Sequence, residues 1–575
     1  MSFIPSRYSA VFTKYMQGFV PKFFRTMREN YSFKDFKRDC VAGLTVAIIA
    51  LPLSMALAIA SGTTPDRGLF TAIVAGFLIS FLGGSRFQIG GPTGAFVVVI
   101  YNIIAQYGYD GLAVATMMAG AMLMLAGFFK LGSLIKYIPY PVVTGFTAGI
   151  AVIIFSSQIK DLFGLQMESV PAEFIDKWVA FFKAAPTVCG AATGVAFACL
   201  AIIVLLRKYR PTYPGFLISV IVGSVCVALL NLPIDTIGSK FGGIPSGLPK
   251  PALPAFSLDT AMRLFPSAFT IAFLAGIESL LSAVVADGMS GDRHLSNCEL
   301  VAEGAGNIAS VIFGGVPATG AIARTAANIR AGAYSSVAGM MHAVFLLLFM
   351  IFLAPLAAYV PLASLAAVLV MVAWNMSGFE RIRLLMSAQA GDRLTMIVTF
   401  LLTVFVDLNT AIEVGVVMAC LIFMHRMSIS FAVENNVMLS DENKDERLDS
   451  PDFVGSLPEG VATFKISGPL FFGAASRLTD FFDNQPNPPK VVILRMGSVP
   501  MMDATAVTIL TDFIQRCRAR GAKLIVANAK KQPKNVLKWQ IVKLRLNTSV
   551  AWAASFRRAL ELAETFVEPT EDKAA

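Results

Sequence analysis

The chain has few charged and few metal-binding side chains for its length. Charged residues make up 15% of its 575 residues, whereas soluble proteins average about 25%. Its seven cysteines are odd in number and show no Cys-x-x-Cys spacing, and its three histidines are scattered. These features exclude a disulfide framework and predict no metal site. Walker loops and nucleophile elbows are also absent, so we expect neither an enzyme nor a nucleotide-driven pump, and no cofactor.

Apolar sequence is what the chain has in excess. Hydrophobic residues make up 56% of it, and the mean hydropathy is +0.67. Such values place most of the chain in a lipid bilayer. The net charge of +10 does not indicate nucleic acid, because the basic residues concentrate at segment ends and near both termini. That distribution is typical of membrane proteins, so we expect lipid and no nucleic acid as its partner.

A membrane region is predicted at 40–432. Eight stretches there are long enough to span a bilayer, namely 41–60, 109–129, 140–159, 186–206, 214–231, 265–287, 334–355 and 396–424. The last exceeds one span and should divide near Asp407. Shorter or broken stretches are 67–82, 90–106, 297–313, 319–330 and 359–374. The total is about fourteen. An even number places both termini on one side, the cytoplasm under the positive-inside rule.

One short pattern occurs twice within the membrane region. Residues 90–95 read Gly-Gly-Pro-Thr-Gly-Ala, and 314–321 read Gly-Gly-Val-Pro-Ala-Thr-Gly-Ala, with Thr319 lying 226 positions after Thr93. Gly and Pro interrupt helical hydrogen bonding, and matched interrupted segments in two halves are typical of a transporter's central binding site. The sequence therefore predicts a carrier built from two related halves.

Two charged residues inside predicted spans are candidates for function. Glu278 lies well within its span, where an ionised carboxylate is costly, and the repeat offset places it opposite Pro52. Arg324 follows the second Thr-Gly-Ala by one turn, where it would add positive charge beside a helix N-terminus that already favours anions. Two alternatives stay open. Glu278 could simply hydrogen-bond to a neighbouring helix, and Arg324 could simply pair with a carboxylate such as Glu278.

Composition also changes at both ends of the membrane region. Residues 1–39 mix aromatic and basic side chains without a secretory signal and are expected to form a cytoplasmic lead. A charged linker is predicted at 433–451, a soluble α/β domain at 452–567 and a tail at 568–575. Within that domain, strands are expected at 461–466, 491–496 and 523–527, and helices at 504–520 and 551–564.

Several strings resemble the sulfate permease family of anion transporters, called SulP. They are Gly84-Ser85-Arg86, Gly91-Pro92-Thr93-Gly94-Ala95-Phe96, Gln158-Ile159-Lys160-Asp161, Ile277-Glu278-Ser279-Leu280-Leu281 and Ala318-Thr319-Gly320-Ala321-Ile322-Ala323-Arg324-Thr325. The resemblance covers nearly the whole chain after residue 30. Within the family, residues 283–289 and 372–377 resemble bacterial dicarboxylate carriers of the DauA type.

This resemblance implies a polytopic α-helical fold of fourteen segments in a seven-plus-seven inverted repeat, with a core and a gate, in a homodimer of the bacterial cytoplasmic membrane. It also implies that the third and tenth segments are half-helices facing each other across the anion. The implied substrate site consists of Leu53, Leu57, Thr93, Gly94, Ala95, Ala323, Arg324 and Thr325. Relatives carry Gln or Ser at the positions of Leu53 and Ala323, so the apolar residues here leave the choice of anion open.

Glu278 matches the family's acidic position for cation coupling, with Ser282 one turn later. A buried carboxyl can gain and release a proton, which favours H+ over Na+ as the coupling ion. The expected function is proton-coupled transport of a C4-dicarboxylate such as succinate, fumarate or aspartate, or of sulfate or bicarbonate. The alternatives are an uncoupled exchanger or channel and a sodium-coupled bicarbonate symporter.

The soluble domain resembles a STAS domain, the fold of bacterial anti-sigma-factor antagonists. Its signature strings are Gly468-Pro469-Leu470-Phe471-Phe472 and Met502-Asp503-Ala504-Thr505. Thr505 occupies the position of the antagonists' phosphorylatable Ser at a helix start, which makes it a candidate regulatory phosphosite. The alternative is that Asp503 and Thr505 only cap the helix. A cytoplasmic protein partner of this domain is also implied.

Overall fold

The computed structural model describes residues 19–29, 31–133, 139–167, 170–171, 173–210, 213–254, 257–429, 432–435, 458–468, 470 and 489–567. The chain divides into two compact units, Met1–Ala419 and Cys420–Ala575. Within the described residues the first unit is helical apart from one pair of short strands, and the second contains a five-stranded sheet.

The helices of the amino-terminal half run from α1 to α9. Their bounds are α1 Lys22–Arg28, α2 Phe33–Ala60, α3 Pro65–Leu82, α4 Val97–Phe128, α5 Tyr140–Phe163, α6 Phe174–Ala184, α7 Gly190–Tyr209, α8 Gly215–Leu230 and α9 Ile237–Phe241. A short strand, β1 (Gly90–Gly91), precedes α4.

The following half contains helices α10 to α17, with β2 (Thr319–Gly320) before α12. Their bounds are α10 Leu258–Ser290, α11 Ser296–Ile312, α12 Ile322–Arg330, α13 Val337–Ala357, α14 Leu362–Ser377, α15 Phe379–Met386, α16 Ala390–Phe405 and α17 Leu408–Ile429.

Eight helical segments of the described residues are long and apolar enough to cross a membrane. They are Phe33–Ala60, Pro65–Leu82, Gly94–Phe128, Tyr140–Phe163, Gly190–Tyr209, Asp259–Ser290, Val337–Ala357 and Leu362–Met386. The predicted polytopic helical class is therefore confirmed. The remaining predicted stretches fall on α8, α11, α12, α16 and α17, of which all but α17 have fewer than 18 residues.

Two breaks between helical segments lie at the positions predicted from the sequence. Gly108 has φ 68° and ψ −175°, which breaks α4 between the predicted stretches 90–106 and 109–129. The long stretch 396–424 divides at Asp407, between α16 and α17. There the Asp407 carboxylate accepts a hydrogen bond from the backbone N–H of Thr410 at 2.9 Å. This contact satisfies a donor that a helix start would otherwise leave unpaired.

Helix α2 begins at Phe33, ahead of the predicted start of the membrane region at residue 40. Ser32 caps this helix: its hydroxyl accepts from the N–H of Asp35 at 3.3 Å, and the Asp35 carboxylate accepts from the N–H of Ser32 at 3.0 Å. Such a reciprocal capping box fixes a helix start independently of hydropathy. The helix therefore extends beyond its apolar stretch, and α1 forms part of the lead as well.

Helix packing recurs between the two halves. The 226-residue offset relates α2 to α10, α3 to α11, and the second part of α4 to α13. In the first pair of equivalent contacts, α2 packs on α13 and α10 packs on α4. In the second pair, α3 packs on α13 and α11 packs on α4. Small residues permit the last contact, since a Cβ added at Gly304 would lie 2.4 Å from the carbonyl oxygen of Gly120.

In the second unit, five strands form a sheet in chain order. They are β3 Ala432–Asn435, β4 Val461–Ser467, β5 Val491–Ser498, β6 Lys523–Ala527 and β7 Val550–Ala553. Strand β3 is antiparallel to β4, and all other neighbours are parallel. Helices α18 (Ala504–Ala519), α19 (Lys531–Lys543) and α20 (Phe556–Val567) cover the sheet.

Two predictions for this unit are wrong in detail. The final helix begins at Phe556 and not at 551, because 550–553 forms strand β7. A second helix, α19, was not predicted. The predicted linker 433–451 includes part of β3, and its residues 436–451 lie outside the described residues, as do 471–488 and the tail 568–575.

Candidate functional site

The two repeated Gly/Pro/Thr segments meet directly. Strand β1 pairs antiparallel with β2, with Gly90 opposite Gly320 and Gly91 opposite Thr319. The N–H of Ala321 also donates to the carbonyl of Ile89 at 2.9 Å. A 3₁₀ turn and α4 follow β1, and α12 follows β2. Two helix N-termini, each with unpaired N–H groups and a positive dipole end, therefore begin beside one short pairing.

The sequence-predicted residues of the first segment differ in exposure. Thr93 is half-buried, whereas Gly94 and Ala95 are buried. A Cβ added at Gly94 would lie 2.6 Å from the sulfur of Met376, so a larger residue there would require the methionine side chain to move. Leu53 and Leu57 are buried in the same hydrophobic cluster as Ala95.

Arg324 is buried beneath this pairing, with 2% of its surface exposed. Its Nη2 donates to the carbonyl oxygen of Pro92, while Nε and Nη1 have no hydrogen-bond partner. Gly91, at φ 155°, makes this approach possible, since a Cβ there would lie 2.5 Å from Nη1. The guanidinium thus retains unpaired donors and positive charge beside both helix starts.

Pairing of Arg324 with Glu278 is not observed. Among the described residues, Arg324 forms no ion pair, and Glu278 accepts instead from the hydroxyl of Thr93, with 2.9 Å between Oγ1 and Oε2. Glu278 lies on α10 and is half-buried, so its carboxylate keeps some access to solvent. The acidic residue therefore contacts the first residue of the half-helix segment directly.

The remaining predicted residues separate into two groups. Ser282 and Thr325 are fully buried and bound to each other, with Ser282 Oγ donating to Thr325 Oγ1 at 3.1 Å. The N–H of Ile89 donates to the same Thr325 oxygen at 3.1 Å. Ala323, in contrast, is exposed. Thr93, Glu278 and Ala323 thus supply the accessible surface, while Ser282 and Thr325 join α10, α12 and the segment before β1.

A second acidic group was missed in the sequence. Glu303, on α11, is fully buried, and its Oε2 accepts from the hydroxyl of Ser279 at 2.9 Å. Ser279 in turn accepts from Nε2 of Gln88 at 2.5 Å. An acidic residue inside the apolar stretch 297–313 was the available signal. Glu299, one turn earlier, accepts from the N–H groups of Gly84 and Ser85 at 2.6 and 2.9 Å.

No group of His, Cys, Asp and Glu side chains suited to a metal ion occurs in the part of the chain that the structure describes. In the second unit, Asp503 is the N-cap of α18 and accepts from the N–H of Ala506 at 2.7 Å. Thr505 is exposed in the first turn. Capping is thus performed by Asp503. The signature residues Pro469, Phe471 and Phe472 lie outside the described residues.

Comparison with known families settles the identity of both units. Residues 36–399 match the sulfate permease family, and residues 457–552 match the STAS domain. The chain belongs to the sulfate permease family. It is 41% identical over 512 residues to the putative sulfate transporter YvdB of Bacillus subtilis, which covers 88% of this chain and 94% of that protein.

Other similar proteins support the same conclusion. The bicarbonate transporter BicA of Picosynechococcus sp. is 30% identical over 522 residues, covering 88% of this chain and 91% of that protein. A solved transmembrane domain of a cyanobacterial BicA matches with a TM-score of 0.60 at 30% identity, over 68% of this chain and 98% of that one.

The fold extends to more distant transporters. The murine Solute Carrier 26 family member A9 anion transporter, in an inward-facing state, has a TM-score of 0.83 at 18% identity, covering 98% of this chain and 96% of that one. The predicted SulP resemblance and fold class are confirmed. The protein is a multi-pass membrane anion transporter with a STAS domain, and not an enzyme.

Proposed function

We propose that this transporter moves a small anion by proton-coupled alternating access, with Glu278 as the proton-binding group. The contact between Thr93 and Glu278 is the observation that supports this most directly. It connects the acidic side chain to the entrance of the half-helix predicted to bind the anion. A change in the charge of Glu278 would therefore change the electrostatic potential at that entrance.

The anion is proposed to bind between the starts of α4 and α12. Unpaired N–H groups at these starts and the positive charge of Arg324 attract it. Protonation of Glu278 removes a negative charge from the neighbourhood of Thr93, which strengthens anion binding there. Anion and proton thereby bind together, as required for symport.

A C4-dicarboxylate is our first candidate substrate, because of the resemblance of 283–289 and 372–377 to DauA-type carriers. Sulfate and bicarbonate are the next candidates, in keeping with the names of the relatives YvdB and BicA. We propose H+ as the coupling ion and retain Na+ as the alternative. A proton needs one acceptor atom, whereas hard metal cations require several oxygen ligands.

The wider organisation is also proposed. Both termini would face the cytoplasm, and the protein would form a homodimer in a bacterial cytoplasmic membrane. The STAS domain would then be available to a cytoplasmic protein partner, with phosphorylation of the exposed Thr505 as one means of regulation.

Uptake into proteoliposomes tests the proposal. Labelled succinate, sulfate and bicarbonate would be supplied under an inward proton gradient, an inward sodium gradient or no gradient. We compare wild type with Glu278→Gln, and use Glu413→Gln, at an exposed position of α17, as the matched control. Proton-stimulated uptake of one anion, lost in Glu278→Gln and kept in Glu413→Gln, is expected.

Other results would point elsewhere. Stimulation by sodium alone would identify a sodium symporter. Uptake that ignores both gradients, with Glu278→Gln behaving as wild type, would overturn the proton-binding role and indicate an exchanger or channel.

A further inference from the structure

A cavity of about 600 Å³ lies in the membrane unit outside the candidate site. Its walls come from the 61–64 loop, α3, the first turns of α4, the end of α5, and helices α6 and α9. Thr93, Glu278 and Arg324 do not line it. Its volume falls in the range of small-molecule sites, about 300–1,000 Å³.

Positive charge dominates the lining of this cavity. The lining contains one carboxylate, that of Asp161, and four basic side chains, those of Arg67, Lys160, Lys177 and Lys240. These five residues come from four different helices, so no single local sequence motif brings them together. Such a concave, cationic surface raises the local concentration of anions.

Three of the cations are held in place by the protein. Arg67 donates to the carbonyl of Gly314 at 3.0 Å and lies 3.3 Å from the ring centroid of Tyr109. Lys160 donates to the carbonyl of Met167 at 2.9 Å. Lys240 lies 3.9 Å from a carboxylate oxygen of Asp161. The one lining carboxylate is thus already engaged.

Lys177 has no such partner. It is only 5% exposed, and its Nζ lies 5.9 Å from the centroid of the Tyr101 ring. Among the described residues its ammonium group forms neither an ion pair nor a hydrogen bond. Burial lowers the pKa of the Lys177 ammonium, because the charged form is poorly solvated there. A nine-tenths buried cation that faces a cavity without a counterion indicates that an anion binds there.

The cavity has a defined position in the membrane unit. Helix α2 has 28 residues, so its two ends lie about 40 Å apart. The cavity lies at the Ala60 end, opposite the end that follows α1. Val97 and Val98, just after the 3₁₀ turn that contains Gly94, also line it. The cavity therefore extends from one face of the membrane unit towards the candidate site.

We propose that this cavity is a capture site for small dianions, a dicarboxylate or sulfate, which bind beside Lys177 before they reach the site between the half-helices. The proposal rests on the proposed function. With the termini in the cytoplasm, the capture site faces outwards. The two negative charges of a dianion can be stabilised by several separated cations at once. A monoanion, with a single charge, gains less from them.

Transport kinetics of the full-length protein in proteoliposomes test the capture site. Lys177→Gln should raise KM for the dianion roughly three- to tenfold with little change in kcat, and the difference should shrink at high ionic strength. Lys177→Arg should preserve the wild-type KM. The matched control is Lys183→Gln, on the same helix α6 but exposed and outside the cavity. An unchanged KM in Lys177→Gln would overturn the proposal.

Thiol chemistry gives a second, transport-independent readout. In a Thr63→Cys variant, at a partly exposed lining position that leaves Lys177 in place, succinate or sulfate should slow labelling of the introduced thiol, and chloride at equal ionic strength should not. Absence of protection by either dianion contradicts capture. If protection is seen but no anion is taken up by wild type, the proposed transport function fails while the capture site stands.

Discussion

Thr93 and Glu278 are 185 residues apart in the chain, yet 2.9 Å separates the threonine hydroxyl from the glutamate carboxylate. One residue opens the interrupted segment of the first half, and the other lies within helix α10 of the second. The contact joins the two predicted functions, anion binding and cation coupling, through a single hydrogen bond.

Removal of the Thr93 hydroxyl should weaken coupling. Thr93→Val keeps the branched shape but leaves the Glu278 carboxylate without its recorded donor, whereas Thr93→Ser keeps the donor. We expect proton-stimulated uptake to fall about tenfold in Thr93→Val, equivalent to the loss of one hydrogen bond to a charged group. Thr93→Ser should remain near wild type. Equal uptake in both variants would show that the hydrogen bond is irrelevant to coupling.

Gly91 should be intolerant of any side chain. Gly91→Ala would place a Cβ 2.5 Å from Arg324 Nη1 at a backbone φ of 155°, so the arginine must move from the two helix starts. Anion affinity should decrease, and KM for uptake should rise. Gly288→Ala is the control, because nothing lies within 4 Å of a Cβ at that position. Normal KM in Gly91→Ala would argue against a positional role for Arg324.

Glu303 should have a structural role, so that replacement by an amide is tolerated better than replacement by a hydrocarbon side chain. Glu303→Gln retains an acceptor for Ser279, whereas Glu303→Leu leaves the hydrogen of that buried hydroxyl without an acceptor. An unsatisfied buried polar group costs about 1–3 kcal/mol. Thermal unfolding of the purified protein should therefore show a lower Tm for Glu303→Leu than for Glu303→Gln. The reverse order would mean that a buried polar side chain at position 303 destabilises the fold more than the loss of the acceptor for Ser279 does.

The helix cap of the STAS domain gives a separate expectation. Asp503→Ala removes the side chain that caps α18 and should destabilise this domain by about 1 kcal/mol. Thr505→Ala, at an exposed position, should change stability by less. Urea-dependent proteolysis of the full-length protein at sites in this domain compares the two. If Thr505→Ala is the more destabilising, Thr505 has a structural role and is a poorer candidate for a phosphosite.

Much of the architecture could be predicted because its causes are local. Apolar stretches near 20 residues required helices of membrane-spanning length, and Gly108 and Asp407 interrupted them where their local chemistry demands. The STAS strands alternate with helices in a readable pattern. Hydropathy did not indicate the start of α2, because the Ser32 capping box sets it. The last helix was predicted to begin too early, because the short strand β7 directly precedes it.

The site was only partly readable from the sequence. The repeated Gly/Pro/Thr segments and Glu278 were found, because breaks and charges within apolar stretches are rare. Glu303 was overlooked, although an acidic residue in an apolar stretch gave the same signal. Lys177 carried no signal at all, since its surroundings come from other helices.

The sequence alone determined the membrane class, the two related halves, the family and the residues that interrupt the helices, because hydropathy and backbone preference act over short windows. Only the tertiary structure decided that Glu278 contacts Thr93 and not Arg324, that Arg324 reaches Pro92 across Gly91, and that four cations line one cavity. Those contacts depend on how distant helices pack and on which rotamers that packing leaves open, which no short stretch of sequence specifies.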